Sequence, residues 1–139
     1  MEILTKKRKI IQTLSKCENI TDPSKHFEEL QELRKKFARN PDKQRMCNIL
    51  DALGNPDRFL ILDALSESDR CVCEIEAILN KAQSTVSHHL SALENAGLIR
   101  GWKKGKFTHY SLSKPDFEKF TEIWSLWLEK GQNWFSFVK

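Results

Sequence analysis

QSTVSHHLSALENAG, residues 83–97, decides how the rest of the chain is read. At about 100° per residue, Val86, His89, Leu90 and Leu93 fall on one side of a helix, and Ser84, Ser87, His88, Ser91 and Asn95 on the other. The helix is amphipathic, but its outer face is unusual: it carries no charge before Glu94 and no long side chain except Gln83. A merely solvated face carries Glu and Lys, which also favour helix. Serines weaken a helix, because their hydroxyls compete for the backbone. Short donors and acceptors suit a helix that slides close to a surface and hydrogen-bonds to it, and the major groove of DNA is such a surface. Gln83 can pair with adenine, while Ser84, Thr85, Ser87 and Ser91 can reach phosphates or base edges. His88 faces outward with the serines as a further DNA contact. His89 lies among the leucines and reads as a hydrogen-bonded core residue.

Working outward, the short apolar repeat Ile75, Ile78, Leu79 precedes this helix by the turn NKAQ, so residues 72–96 read as a helix-turn-helix. Gly97 stops the second helix. Two extended pieces follow, about 98–103 and 106–112, flanking Lys104-Gly105 as a two-stranded hairpin. Lys103, Lys104 and Lys106 sit at its tip, placed to lie along a phosphate backbone or in a minor groove. Between Lys81 and Lys114 there are six basic residues against one acid, so this segment carries +5 while the whole 139-residue chain carries +4. Positive charge is concentrated beside the serine-rich helix.

Upstream, three helix starts repeat one grammar, a capping Asp or Asn followed by Pro: Asp22-Pro23, Asn40-Pro41 and Asn55-Pro56. Residues 3–16 form a further short helix before them. Phe27, Leu30, Leu33 and Phe37 make the stripe of the second helix, and Met46, Ile49, Leu50 and Leu53 that of the third. The helix over about 56–66 is apolar on most sides, through Phe59, Leu60, Ile61, Leu62, Ala64 and Leu65, and is expected at the centre of the core. After the hairpin, KPDF begins a last helix with a wide aromatic face, Phe117, Phe120, Ile123, Trp124, Trp127 and Leu128, which Gly131 interrupts before NWFSFVK. The fold class is therefore mostly α with a small β-hairpin. Expected domains are an N-terminal helical extension over 1–40, a winged helix-turn-helix over 41–114 and a C-terminal helix over 115–139. No run approaches the ~20 apolar residues of a membrane helix, and the N-terminus lacks the apolar core of a signal peptide. The expectation is a cytoplasmic protein with no membrane partner.

The stretches LGNPDRFLILDAL, CVCEIEAIL, QSTVSHHLSALENAGLI and KKGKFTHYSLS resemble, in order and spacing, the ArsR/SmtB-type winged-helix repressors, over roughly residues 45–125. The resemblance implies a homodimer whose N- and C-terminal helices pack across a two-fold axis. It also implies binding to a palindromic double-stranded operator, and release by an inducer that is often a metal ion. The first 40 residues exceed the usual family length and are expected to thicken the dimer.

The same resemblance places a thiolate pair for soft ions, As(III), Cd(II) or Zn(II), on Cys71 and Cys73. Residues at i and i+2 of a helix diverge by about 200°, so joint ligation requires Cys71 to precede the helix or the first turn to open. A third ligand is also required. The related branch has a cysteine three positions on, where this chain has Glu76; Cys17 or Cys47 could substitute. The family's second site, between the last helices, needs histidines, and none occurs from Lys114 to Lys139. Thiol redox sensing and plain packing are the other readings of the pair. No cofactor is expected to be required. A thiol oxidoreductase is disfavoured, because Cys-Val-Cys lacks the two-residue spacing of such enzymes, and the chain is not expected to be an enzyme. A winged-helix protein-interaction module, docking through the aromatic last helix, is the alternative to a DNA-binding repressor.

Overall fold

The computed structural model describes residues 1–131; the expectation for NWFSFVK lies outside them. Seven helices and three strands follow in the order α1 (Glu2–Leu14), α2 (Pro23–Arg39), α3 (Pro41–Leu53), α4 (Pro56–Glu67), β1 (Arg70–Cys71), α5 (Val72–Leu79), α6 (Gln83–Asn95), β2 (Ile99–Lys104), β3 (Phe107–Leu112) and α7 (Lys114–Lys130). The chain divides into two compact units, Met1–Gln44 and Arg45–Lys139.

In the first unit, α1 packs on α2, whose Phe27 is buried, with Lys7 bonded to Glu28 at 2.6 Å. Asp22 caps α2 by accepting from the Lys25 amide, as its sequence grammar predicts. Of the expected apolar stripe, only Phe27 is covered; Leu30, Leu33 and Phe37 remain exposed.

The second unit holds the core. Ile49, Ile61, Leu62, Leu65, Ile75, Leu79, Val86, Leu90, Leu93, Leu98 and Ile99 form one buried cluster drawn from α3, α4, α5, α6 and β2. Asn55 caps α4 through the amides of Asp57 and Arg58. α4 stands in the core, as expected, through Ile61, Leu62 and Leu65, but not all its apolar residues are covered: Phe59 is 61% and Leu60 41% exposed. A continuous apolar run contains no periodicity from which to tell its two faces apart.

The sheet is antiparallel in the order β1-β3-β2. The expected hairpin forms, with its turn one residue later than Lys104-Gly105: Lys104 pairs with Phe107, and Gly105, with φ +64°, and Lys106 make the turn. The third strand is new: Arg70 and Cys71 pair with Tyr110 and His109. A two-residue strand has no sequence signature and exists only through its partner. At the end of α6, Gly97 adopts φ +78°, its amide bonding the Glu94 carbonyl and that of Leu98 bonding the Leu93 carbonyl. This pair of bonds terminates the helix in a Schellman motif, and Leu98 and Ile99 turn straight into the core.

Because Leu93 is fully buried at the meeting of α6 and the hairpin, Leu93→Ala should cost about 2–5 kcal/mol. Thermal unfolding should show Tm falling by on the order of 10 °C or more; a shift of only a degree or two would contradict this packing.

Candidate nucleic-acid interface

α6 is seated by Val86, His89, Leu90 and Leu93, all buried. The opposite face is therefore held outward. Gln83, Ser84, Ser87, His88 and Ser91 are exposed, and Thr85, in the first turn, is half-buried. Among the described residues no hydrogen bond or ion pair engages these side chains; His88 makes only a tilted ring contact with His89, at 5.9 Å. Short polar groups without internal partners, on a helix backed by a rigid core, are available to an outside surface. α5 and α6 are joined through Asn80, whose left-handed conformation (φ 51°) ends α5, and through Lys81 and Ala82. Gln83 belongs to the helix and not to the turn. α5, this turn and α6 make the helix-turn-helix, and β2–β3 is the wing beside it.

Lys103, Lys104 and Lys106 are exposed at the wing tip and make no ion pair among the described residues. The wing is stiffened below its tip. Trp102 stacks on His109 at 4.8 Å and donates from Nε1 to Ser111 at 2.8 Å. Gly101 lies under the Tyr110 ring, where a Cβ would come within 3.0 Å. Burial, with the Glu94 carboxylate adding to it, pushes the Tyr110 phenol above its ordinary value. The alternation of β3 puts His109 and Ser111 on the outer face and Tyr110 and Leu112 toward the core. His109 drew no attention in the sequence; only the pairing of β3 with both its neighbours places it between Trp102 and Cys71.

A polar cluster lies behind α6. Asp57, in the first turn of α4, bonds the Lys81 ammonium and stands 3.5 Å from Nε2 of His89. The Lys81 hydrogen bond holds the Asp57 carboxyl below its ordinary value, against the opposing effect of burial. Burial pushes the His89 imidazole below its ordinary value; Asp57 opposes this, while Arg58, His88 and Lys81 add to it. The expected core role of His89 matches its burial.

Cys71 is extended (ψ 161°) and precedes α5, as joint use with Cys73 requires. Glu74 folds back to accept from the Cys71 amide at 3.1 Å, a bond that holds its carboxyl below the usual range. Desolvation pushes the Cys73 thiol up, with Cys71 and Glu76 adding to the effect. All four cysteines are free thiols. Among the described residues no three His, Cys, Asp or Glu converge to hold a metal ion, so the pair by itself supplies two of the three ligands of a trigonal site. No described helix is long and apolar enough to cross a membrane.

Comparisons with known proteins agree with this architecture. The family described as "Bacterial regulatory protein, arsR family" matches residues 55–100, which span α4 to the start of the wing. The transcriptional repressor SdpR of Bacillus subtilis is 32% identical over 88 residues, covering 63% of this chain and 98% of that protein. A cadmium resistance transcriptional regulatory protein CadC homolog of Staphylococcus aureus is 31% identical over 99 residues, covering 70% of this chain and 80% of that one. Among solved structures, HlyU from Vibrio cholerae is 29% identical with a TM-score of 0.53, over 63% of this chain and 92% of that one. With helix-turn-helix, wing and these relatives in agreement, the chain belongs to the arsR family, DNA-binding transcriptional regulators of winged helix-turn-helix fold and not enzymes.

Proposed function

We propose that the chain represses transcription by binding a palindromic operator as a homodimer, and that a soft ion at Cys71 and Cys73 releases it. The observation that carries the DNA reading is the outer face of α6: exposed, largely short and uncharged, and without partners among the described residues, followed in the chain by a wing whose three lysines are likewise unpaired among them. In this reading Gln83, Ser87, His88 and Ser91 meet base edges in the major groove. Ser84 and Thr85, at the helix N-terminus, meet phosphate. Lys103, Lys104 and Lys106 meet the backbone.

Dimerisation is supported by apolar surface left open in each unit. On α2, Leu30, Leu33 and Phe37 form an exposed row, flanked by Glu29 and Lys36 one heptad apart. Two copies of α2 laid antiparallel bury that row and set each Glu29 against the other copy's Lys36. On α7, Leu128 is exposed one turn on from Trp124, whose ring stacks with those of Phe120 and Trp127. The 1–40 extension and the last helix are thus both read as dimer elements, and the cytoplasm as the place of action.

For the signal, the extended Cys71 brings two thiols to the start of α5, and soft ions prefer thiolates. Relatives carry the names of cadmium and arsenical resistance regulators. As(III), Cd(II) or Zn(II) is the class of inducer proposed. Cys17 or Cys47 is the candidate third ligand, brought by rearrangement or by the second copy. Thiol oxidation at the same pair is the competing signal, and no cofactor is proposed for DNA binding itself.

Selection from a random duplex pool should enrich a palindrome. On that duplex at fixed salt, Ser87→Ala with His88→Ala should weaken binding about 10- to 100-fold and relax its sequence preference; unchanged preference would refute the α6 assignment. Replacing all three wing lysines by alanine should lower the salt slope by roughly three per chain without changing preference. Light scattering should find a dimer, with Leu33→Glu shifting mass toward monomer; a Leu33→Glu protein that stays fully dimeric would remove α2 from the interface. Titrating reduced protein with Cd(II) should give thiolate-to-metal absorbance together with DNA release, both lost in Cys73→Ser. Absorbance without release would mark adventitious binding.

A further inference from the structure

Neither the major-groove face nor the wing uses the most buried polar side chain of α6. His89 is 7% exposed and sits in the middle of the apolar seat between Val86 and Leu93. A helix that needed only packing would carry an aliphatic residue there, because a buried imidazole must be satisfied at two nitrogens. In this structure one of the two faces a partner. Nε2 faces Oδ2 of Asp57 at 3.5 Å, and Nδ1 is buried with no hydrogen-bond partner among the described residues.

We propose that Asp57, Lys81 and His89 form a clasp that positions α6 for DNA, and that protonating His89 opens it, so that acid weakens DNA binding. The inference rests on the reading of α6 as the DNA-contacting helix. Asp57 is fixed in the first turn of α4, whose N-terminus Asn55 caps. Its one carboxylate holds both Lys81, in the turn before α6, and His89, in the middle of α6. Two points of the helix-turn-helix are thereby tied to α4, and Ser87 and His88 lie next to the second point. The three are positioning residues, and none of them is among the residues read as touching DNA.

The charge state follows from the surroundings. The contact with Asp57 assigns the proton of the neutral ring to Nε2, leaving a lone pair on Nδ1. An unmatched lone pair is a modest loss. A second proton would place an N–H at Nδ1 facing no acceptor, in a desolvated site. The groups around the ring are Asp57 and Arg58 from α4, Lys81 from the turn and His88 from α6. Only Asp57 favours the cation, and it already neutralises Lys81. Together with burial, these groups hold the seated imidazole below its ordinary value of 6.5. When the helix leaves its seat, the ring regains that ordinary value. The loosened state therefore binds more protons below about pH 6.5, and the clasp, intact above it, is lost as pH falls through the lowered value. This is opposite in sign to a histidine beside phosphate, which gains charge in acid and strengthens DNA binding.

The test uses the full chain and the duplex enriched at pH 7.5, with anisotropy read from pH 7.5 to 5.5 at constant ionic strength. The wild type should weaken roughly fivefold or more across this range. His89→Gln, which can still donate to Asp57 but does not titrate, should bind with little pH dependence. Parallel profiles for the two proteins would overturn the proposal. Amide exchange of α6 is followed in the same buffers without DNA. Acid-dependent opening in the wild type and not in His89→Gln supports the clasp; equal protection at both pH values in the wild type overturns it. If no duplex is enriched at pH 7.5, the DNA reading of α6 has failed, and the exchange result still decides the clasp. Should His89→Gln not fold, nitrogen chemical shifts of the wild-type ring decide. A neutral ring protonated at Nε2 at pH 7 supports the clasp, and a charged ring or one protonated at Nδ1 overturns it.

Discussion

The seat of α6 is the constraint on which the rest depends. Val86, Leu90 and Leu93 are buried almost completely against a cluster supplied by α3, α4, α5 and the start of the hairpin. Burying such side chains contributes about 1.5–3 kcal/mol each, enough to outweigh the weak helix propensity of three serines, a threonine and two histidines. The core thus stabilises a helix whose other face is free to be chosen for recognition. Gly97 and Leu98 then carry the chain from this helix into β2 within two residues, so the wing takes its place from the same cluster.

A seat made only of leucines would hold α6 in one way under all conditions. The presence of His89 within it, tied to a carboxylate shared with Lys81, makes the hold depend on a proton. The cost is a buried nitrogen without a hydrogen-bond partner among the described residues. Cys71 is set by related means. The Glu74 carboxylate fixes its backbone at the entrance to α5, and β3 fixes it from the side. The two groups whose chemistry can change, a thiol pair and an imidazole, therefore stand at the beginning of one helix of the helix-turn-helix and in the middle of the other. Each adjoins an element that α6 needs in order to stay in place.

Much of this was legible in the residues because it is local. The Asx-Pro starts of α2, α3 and α4 depend on a side chain reaching amides two or three positions on, and the structure shows those bonds at Asp22, Asn40 and Asn55. The two faces of α6 could be separated because its apolar and polar residues alternate with helical period. α4 could not be resolved in this way, since Phe59 and Leu60 are as apolar as Ile61 and Leu62 and only the neighbouring elements decide which pair is covered.

By itself, the sequence determined the helix starts, the serine face of α6 and the basic tip of the hairpin, because each is a matter of spacing along one element. Only the tertiary structure decided that Arg70-Cys71 becomes a strand, that His109 lies between Trp102 and Cys71, and that His89 faces Asp57 across 32 positions of chain. These depend on which segments meet in space. No periodicity records that, because the free energy that brings them together belongs to the shared core and not to either segment.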